Sequence, residues 1–141
     1  LFTKSIIESK PIDVFNYGKM VRDFTYIDDI VESVYRVIKK PPKINNDFDF
    51  IRNCPSESFA PYKLFNIGGS NPNSLLDFIK EIEINVGKKA IINYKEMQQG
   101  DVSATQACTK KLEAWIDYKP NTPIKIGIAK FVDWYKNYFV L

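Results

Sequence analysis

The sequence predicts a mixed α/β domain with small sheets. Three observations carry that expectation: apolar residues recur at helical spacing in three separate stretches, short β-branched and aromatic runs lie between them, and Gly, Pro or Asn punctuate the junctions. The regular strand–helix alternation of a whole dinucleotide-binding domain is missing from the pattern. At 141 residues, a single core is expected, read as one domain over 1–141.

Residues 2–9 read as the end of a helix. Ile12, Val14 and Phe15, after Pro11, suggest a short strand running into a turn at Asn16-Tyr17-Gly18. Over 28–40, Ile30, Val31, Val34, Val37 and Ile38 fall on one helix face. Asp28 and Asp29 suit that helix's positive end, and Pro41-Pro42 stop it. Four prolines and the run Asn45-Asn46-Asp47 make 41–61 a long loop. Tyr62 to Ile67 carries bulky residues on both alternating sides, as a mostly buried strand would, and a sharp turn follows at Gly68-Gly69. Ser74 stands where an N-cap is wanted, with Asp77 three residues on. Leu75, Leu76, Ile79, Ile82 and Val86 then mark a buried stripe as far as a Gly87 C-cap. Ala90–Tyr94 reads as a strand and Thr109–Trp115 as a short helix. Thr122-Pro123 open a last helix through Phe139, with Ile124, Ile128, Phe131, Val132, Tyr135 and Phe139 inward.

Composition narrows the chemistry. With 45% hydrophobic and 26% charged residues, the chain is globular rather than disordered. No stretch approaches the roughly 18 apolar residues of a membrane span, and no signal peptide is visible, so a soluble protein is expected. The chain has no histidine, which removes the imidazole base, Ser/His and Cys/His pairs and His-ligated zinc; no metal site is expected. Of 20 basic residues only Arg22, Arg36 and Arg52 are Arg, and the net charge is +3. Nucleic-acid binders concentrate Arg on one face, so no nucleic-acid partner is expected. Cys54 and Cys108 lack CxxC spacing and read as free cytosolic thiols, Cys108 as a small buried side chain.

Two patterns imitate catalytic motifs. Tyr35 and Lys39 have Tyr-x-x-x-Lys spacing, but a chain with 8 Tyr and 17 Lys produces about one such pair by chance (8 × 17/141), and a surface Lys beside a half-buried Tyr accounts for it. Gly68-Gly69-Ser70 before a helix looks like a phosphate cradle, yet it lacks G-x-G-x-x-G and a following Gly-Lys-Ser/Thr, so a plain turn and cap is expected. The segment VRDFTYIDDI, Val21 to Ile30, puts a guanidinium near a helix N-terminus. Its residues alone leave open an ion pair of Arg22 with Asp28 or Asp29 and an anion-binding role.

RDFTYIDDI resembles a signature of the extended short-chain dehydrogenase family of nucleotide-sugar epimerases, particularly its UDP-glucuronate 4-epimerase branch. KPIDVFNYGKMVRDFTYIDDIV, APYKLFNIGGSNPNSLLDFI, the MQQGDV stretch and KPNTPIKIGIAKFVDWYKNYF are similar to successive segments of the C-terminal, substrate-binding part. The resemblance implies a domain that grips the UDP of a sugar nucleotide. A separate N-terminal Rossmann lobe, in the same or another chain, would hold NAD and the catalytic Tyr and Lys. In such enzymes NAD takes the C4 hydride while the Tyr takes the hydroxyl proton; the 4-keto sugar turns over, and hydride returns to its other face. By the same resemblance Phe15 contacts uracil, Arg22 the diphosphate and Asp101 the ribose, with Gln98 an added polar contact. No catalytic residue and no cofactor-binding residue is expected in this chain, so by itself it should be inactive. The implied setting is cytoplasmic synthesis of precursors for capsular or other surface polysaccharide. Departures from the family pattern are Gln106 and Cys108, where Tyr and Asp are expected, and Gln99 and Ser103, where Pro is expected. An Asp at 108 would have capped the following helix, a role left to Thr109. The alternative is a non-catalytic remnant or an interaction module of the same fold.

Overall fold

A computed structural model describes residues 1–52 and 54–140. The core forms around a short parallel pair. In β1 (Pro11–Val14) Ile12 and Val14 point inward, and β4 (Ile91–Tyr94) lies alongside in register, Pro11 opposite Ile91 and Val14 opposite Tyr94. Ile6 of α1 (Phe2–Ile7), Ile79 and Ile82 of α3 (Leu75–Val86) and Ile128 and Val132 of α5 (Ile124–Phe139) close over those strand residues as one cluster. Each such side chain contributes about 1.5–3 kcal/mol when fully buried.

α3 begins and ends where its caps say. Asp77 N–H donates to Ser74 Oγ at 3.0 Å while that hydroxyl donates to the Asp77 carboxylate at 2.7 Å. Gly87 closes the helix with φ +82°, a left-handed value that glycine adopts without a side-chain penalty.

A second layer is built on β2 (Val21–Arg22), antiparallel to β3 (Asn73–Ser74), with Arg22 opposite Asn73. Residues 103–105 run along the other side of β2. Val21 donates to the Ser103 carbonyl at 2.9 Å and accepts from Thr105 N–H at 3.1 Å.

Two expectations are overturned, and the helix face read at 28–40 turns largely outward. The apolar stripe of α2 (Ile27–Lys39) does not face the core: Val31, Val34 and Ile38 are 59%, 45% and 71% exposed, while Asp29 and Ser33 on the other side are buried. The cause is polar. Asp29 accepts from Tyr118 OH at 2.8 Å and Thr122 N–H at 2.9 Å, and Arg36 donates to the Asp117 carbonyl at 3.0 Å; together they hold the polar side inward. Residues 62–67 form no strand, making an isolated bridge between Lys63 and Glu57, beside which Leu64 N–H donates to the Ser56 carbonyl at 2.9 Å; Tyr62 and Leu64 are exposed. Among the described residues no neighbouring strand continues that bridge. On α5, Ile128 and Val132 are buried as expected, but Phe131 and Phe139 stack on aromatic neighbours along the helix and stay partly exposed. Among its described residues the loop at 41–61 carries turns and no helix.

Candidate functional site

Phe15 opens a tight turn (Phe15–Gly18) at the end of β1, half-buried. Asn16 and Tyr17 take left-handed φ values of 49° and 50° there, which the Asn-Tyr-Gly sequence flagged only as a turn. Tyr17 N–H donates to the Lys95 carbonyl at 3.1 Å, and Lys95 N–H to the Val14 carbonyl at 2.9 Å. This fastens the Phe15 turn to the loop leaving β4, the loop that carries Gln98 and Asp101.

Arg22 meets that loop from β2. Its Nη2 donates to Asp101 Oδ1 at 2.9 Å and its Nη1 to the Val21 carbonyl at 3.0 Å; Asp101 Oδ1 also accepts from Val102 N–H at 2.8 Å. The two side chains are 25% and 34% exposed, so the pair sits at the rim of the fold rather than in its core. Arg22 therefore pairs with neither Asp28 nor Asp29: Asp28 faces Lys130, and Asp29 is held by Tyr118 and Thr122. Gln98 is exposed and accepts from Asp101 N–H at 3.2 Å through its own carbonyl. The structure thus joins Arg22 and Asp101 side chain to side chain and Gln98 to Asp101 through backbone, while the Phe15 turn is tied to the start of the same loop at Lys95 and not to Arg22 or Asp101.

Sequence reasoning missed Asp23, whose carboxylate accepts from Ser70, Asn71 and Ala107 N–H groups at 3.2, 3.2 and 3.0 Å. Of the amides that suggested a phosphate cradle at Gly68-Gly69-Ser70, that of Ser70 is turned to a carboxylate of the chain itself. A Cβ on Gly69 would lie 2.5 Å from the Phe24 carbonyl, so its smallness serves packing against protein, not approach of a ligand. The signal lay in the sequence, in the Asp beside Arg22, but only the fold shows which amides it meets.

Lys39 Nζ lies 4.1 Å from the centroid of the exposed Tyr35 ring, a surface cation–π contact. Cys108 is exposed, contrary to expectation: just before α4 (Lys110–Ile116) it is the neighbouring Thr109 that is buried. Thr109 takes the cap position, bonding Ser70 Oγ and the Glu113 carboxylate. Cys54 is also exposed, and its thiol lies 2.9 Å from Lys111 Nζ and 3.1 Å from Ser56 Oγ. The Lys111 ammonium, helped by Ser56, lowers the thiol pKa to about 7, and the forming thiolate in turn raises Lys111.

Comparison with known proteins gives this geometry a context. The NAD dependent epimerase/dehydratase family matches residues 1–50. Protein CapI of Staphylococcus aureus is 47% identical over 138 residues, which cover 98% of this chain and 41% of that protein. A probable UDP-glucuronate 4-epimerase of Rhizobium meliloti is 41% identical over 144 residues, covering 97% and 41%. The crystal structure of UDP-glucuronic acid 4-epimerase from Bacillus cereus in complex with UDP-glucuronic acid and NAD matches with TM-score 0.75 at 26% identity, over 97% of this chain and 38% of that one. The chain spans about two fifths of the length of the relatives it matches. In sequence and in fold it matches the C-terminal part of the nucleotide-sugar epimerases of the extended short-chain dehydrogenase family, and among them it resembles the UDP-glucuronate 4-epimerases.

Proposed function

We propose that this chain is the substrate-binding domain of an NAD-dependent nucleotide-sugar epimerase and supplies its grip on uridine diphosphate, with UDP-glucuronate as the sugar nucleotide. The observation that supports this most is the meeting of Arg22 and Asp101, 79 positions apart in sequence, on the loop whose start at Lys95 is bonded to the Phe15 turn. Each group suits one part of the ligand. An aromatic face at Phe15 stacks on the base, the Arg22 guanidinium matches phosphate oxygens two at a time, and the Asp101 carboxylate accepts from vicinal ribose hydroxyls. Gln98, exposed on the same loop, adds a neutral donor and acceptor at the rim.

The ion pair also fits the task as a holding device. Asp101 keeps the guanidinium aimed along the loop, and an arriving diphosphate offers Arg22 a doubly charged acceptor in place of one carboxylate oxygen, leaving Asp101 to the ribose. Asp101 would otherwise repel the diphosphate, so Arg22 and Asp101 serve as a unit.

The NAD and the hydride chemistry at C4 belong, on this reading, to a second, N-terminal lobe; no residue of this chain is assigned a catalytic role. The setting is cytoplasmic, in the making of precursors for surface polysaccharide. No described helix is long and apolar enough to cross a membrane. Calorimetric titration tests the ligand class: UDP should bind better than ADP. Equal affinity for the two nucleotides would contradict the reading.

A further inference from the structure

We propose that Cys54, Ser56 and Lys111 form a thiol–disulfide exchange site, which takes a small carboxylate-bearing disulfide and keeps one half of it as a mixed disulfide on Cys54.

The chain builds this site from three segments. Glu57 N–H donates to the Cys54 carbonyl at 2.9 Å, closing a turn with Pro55 at its first central position, which a ring-fixed φ suits. Residues 63 and 64 hold that turn in place: Leu64 N–H donates to the Ser56 carbonyl at 2.9 Å, and Lys63 Nζ donates to Glu57 Oε1 at 2.9 Å. The third segment is α4. Its Lys111 Nζ donates to Cys54 Sγ at 2.9 Å and to Ser56 Oγ at 2.7 Å, while the thiol and the hydroxyl lie 3.1 Å apart. A thiol, a hydroxyl and an ammonium thus close a triangle.

A cavity of about 240 Å³ opens beside it. Ser56 and Lys111 belong to the cavity wall, together with Glu57, Lys63, Phe65 and Trp115. Lys63 is answered there by Glu57 and lies 4.9 Å from the centroid of the Trp115 ring. Among the described residues no carboxylate forms an ion pair with Lys111, and the anion it holds is the Cys54 thiolate.

These features match what exchange requires. The attacking species is the thiolate, and attack is most effective when the thiol pKa lies near the ambient pH, since a lower value costs nucleophilicity. Lys111 and Ser56 bring the exposed Cys54 to about 7. The other charged groups facing the cluster, Glu57 and Cys108, act on Lys111 in the same direction as the Cys54 thiolate and keep it an ammonium. The step balances without a further reactant. The Cys54 thiolate attacks one sulfur of the disulfide RS–SR, the S–S bond breaks, Cys54–S–SR forms, and RS⁻ leaves with the electron pair; the cysteine sulfur is oxidised and the departing one reduced. Exchange consumes the anion that Lys111 holds. A carboxylate on the retained half replaces it from the cavity side, which selects an acidic disulfide over a cationic one.

Timed exposure of the 141-residue chain to glutathione disulfide or to cystamine, followed by mass spectrometry of the two cysteine peptides, tests this. At pH 7 Cys54 should take up glutathione about fivefold faster than Cys108, and the difference should vanish in urea. Lys111→Met should remove the preference in the folded chain, and Lys111→Arg should retain most of it. Per thiolate, with the pKa of each variant read from its alkylation profile, Lys111→Met should slow glutathione disulfide severalfold and leave cystamine, which has no carboxylate, unslowed. Equal rates at Cys54 and Cys108 in the folded chain, a preference that survives urea, or a loss per thiolate that is the same for both disulfides would overturn the inference. Neither disulfide involves a nucleotide, so loss of UDP selectivity would sink the proposed function and leave this site standing, and the converse holds.

Discussion

At the scale of single residues, position in the fold decides which groups have unusual chemistry. The sequence marks Cys54 and Cys108 alike as free thiols, and both are exposed, but only Cys54 has an ammonium within hydrogen-bond reach. With its pKa lowered to about 7, close to half of Cys54 is thiolate at neutral pH. Iodoacetamide should therefore modify Cys54 with a midpoint near pH 7, and Lys111→Met should move that midpoint upward; mass spectrometry of the two cysteine peptides reads it out. An unmoved midpoint would mean that Lys111 does not hold the thiolate. The neighbours that matter, Ser56 and Lys111, are two and 57 positions away, so no local motif announces them. Arg22 and Asp101 differ in this respect: each lies in a segment similar to the family, and only their meeting required the fold.

At the scale of elements, helices were legible and their partners were not. α3 could be read to its ends, because Ser74, Asp77 and Gly87 are local signals that act within one turn. The existence of α2 was equally plain, but its orientation was not. A hydrophobic stripe states which face wants burial, whereas Asp29, Tyr118 and Thr122 decide which face receives it here. The strand expected at 62–67 fails for a related reason, since β-propensity describes a surface that fits a neighbour and cannot supply one. The lock on α2 has a pH signature. Burial, then the bond to Asp29, pushes the Tyr118 hydroxyl from its ordinary 10 up to about 12. Because the folded state keeps the proton longer than the unfolded one, this contribution is full below pH 10 and is lost as pH rises through 12. Urea midpoints measured from pH 9 to 12 should fall more steeply for the parent chain than for Tyr118→Phe. Parallel curves would contradict the lock.

At the scale of the whole molecule, the described residues gather a core cluster around β1, β4, α3 and α5, while the outer face of α2 leaves Val31, Val34 and Ile38 exposed. The grip proposed for the nucleotide lies between β2 and the loop after β4, while the chemistry of epimerisation is assigned elsewhere. The purified chain, given UDP-glucuronate and NAD, should form no UDP-galacturonate above background, and Tyr35→Phe should change nothing, since Tyr35 only carries the Lys39 contact on an exposed helix. Turnover by this chain alone would overturn the division of labour.

The central claim is that Arg22 reads the diphosphate and Asp101 the ribose. Calorimetric titration of UDP and of uridine into the parent chain, Arg22→Ala and Asp101→Ala tests it most directly. A charge-assisted bond is worth about 1.5–3 kcal/mol, so Arg22→Ala should weaken UDP by roughly ten- to a hundredfold and leave uridine nearly unchanged. Asp101→Ala should weaken both ligands, because both carry the ribose. Loss of uridine and UDP to the same extent in Arg22→Ala, or UDP binding indifferent to either substitution, would contradict the account.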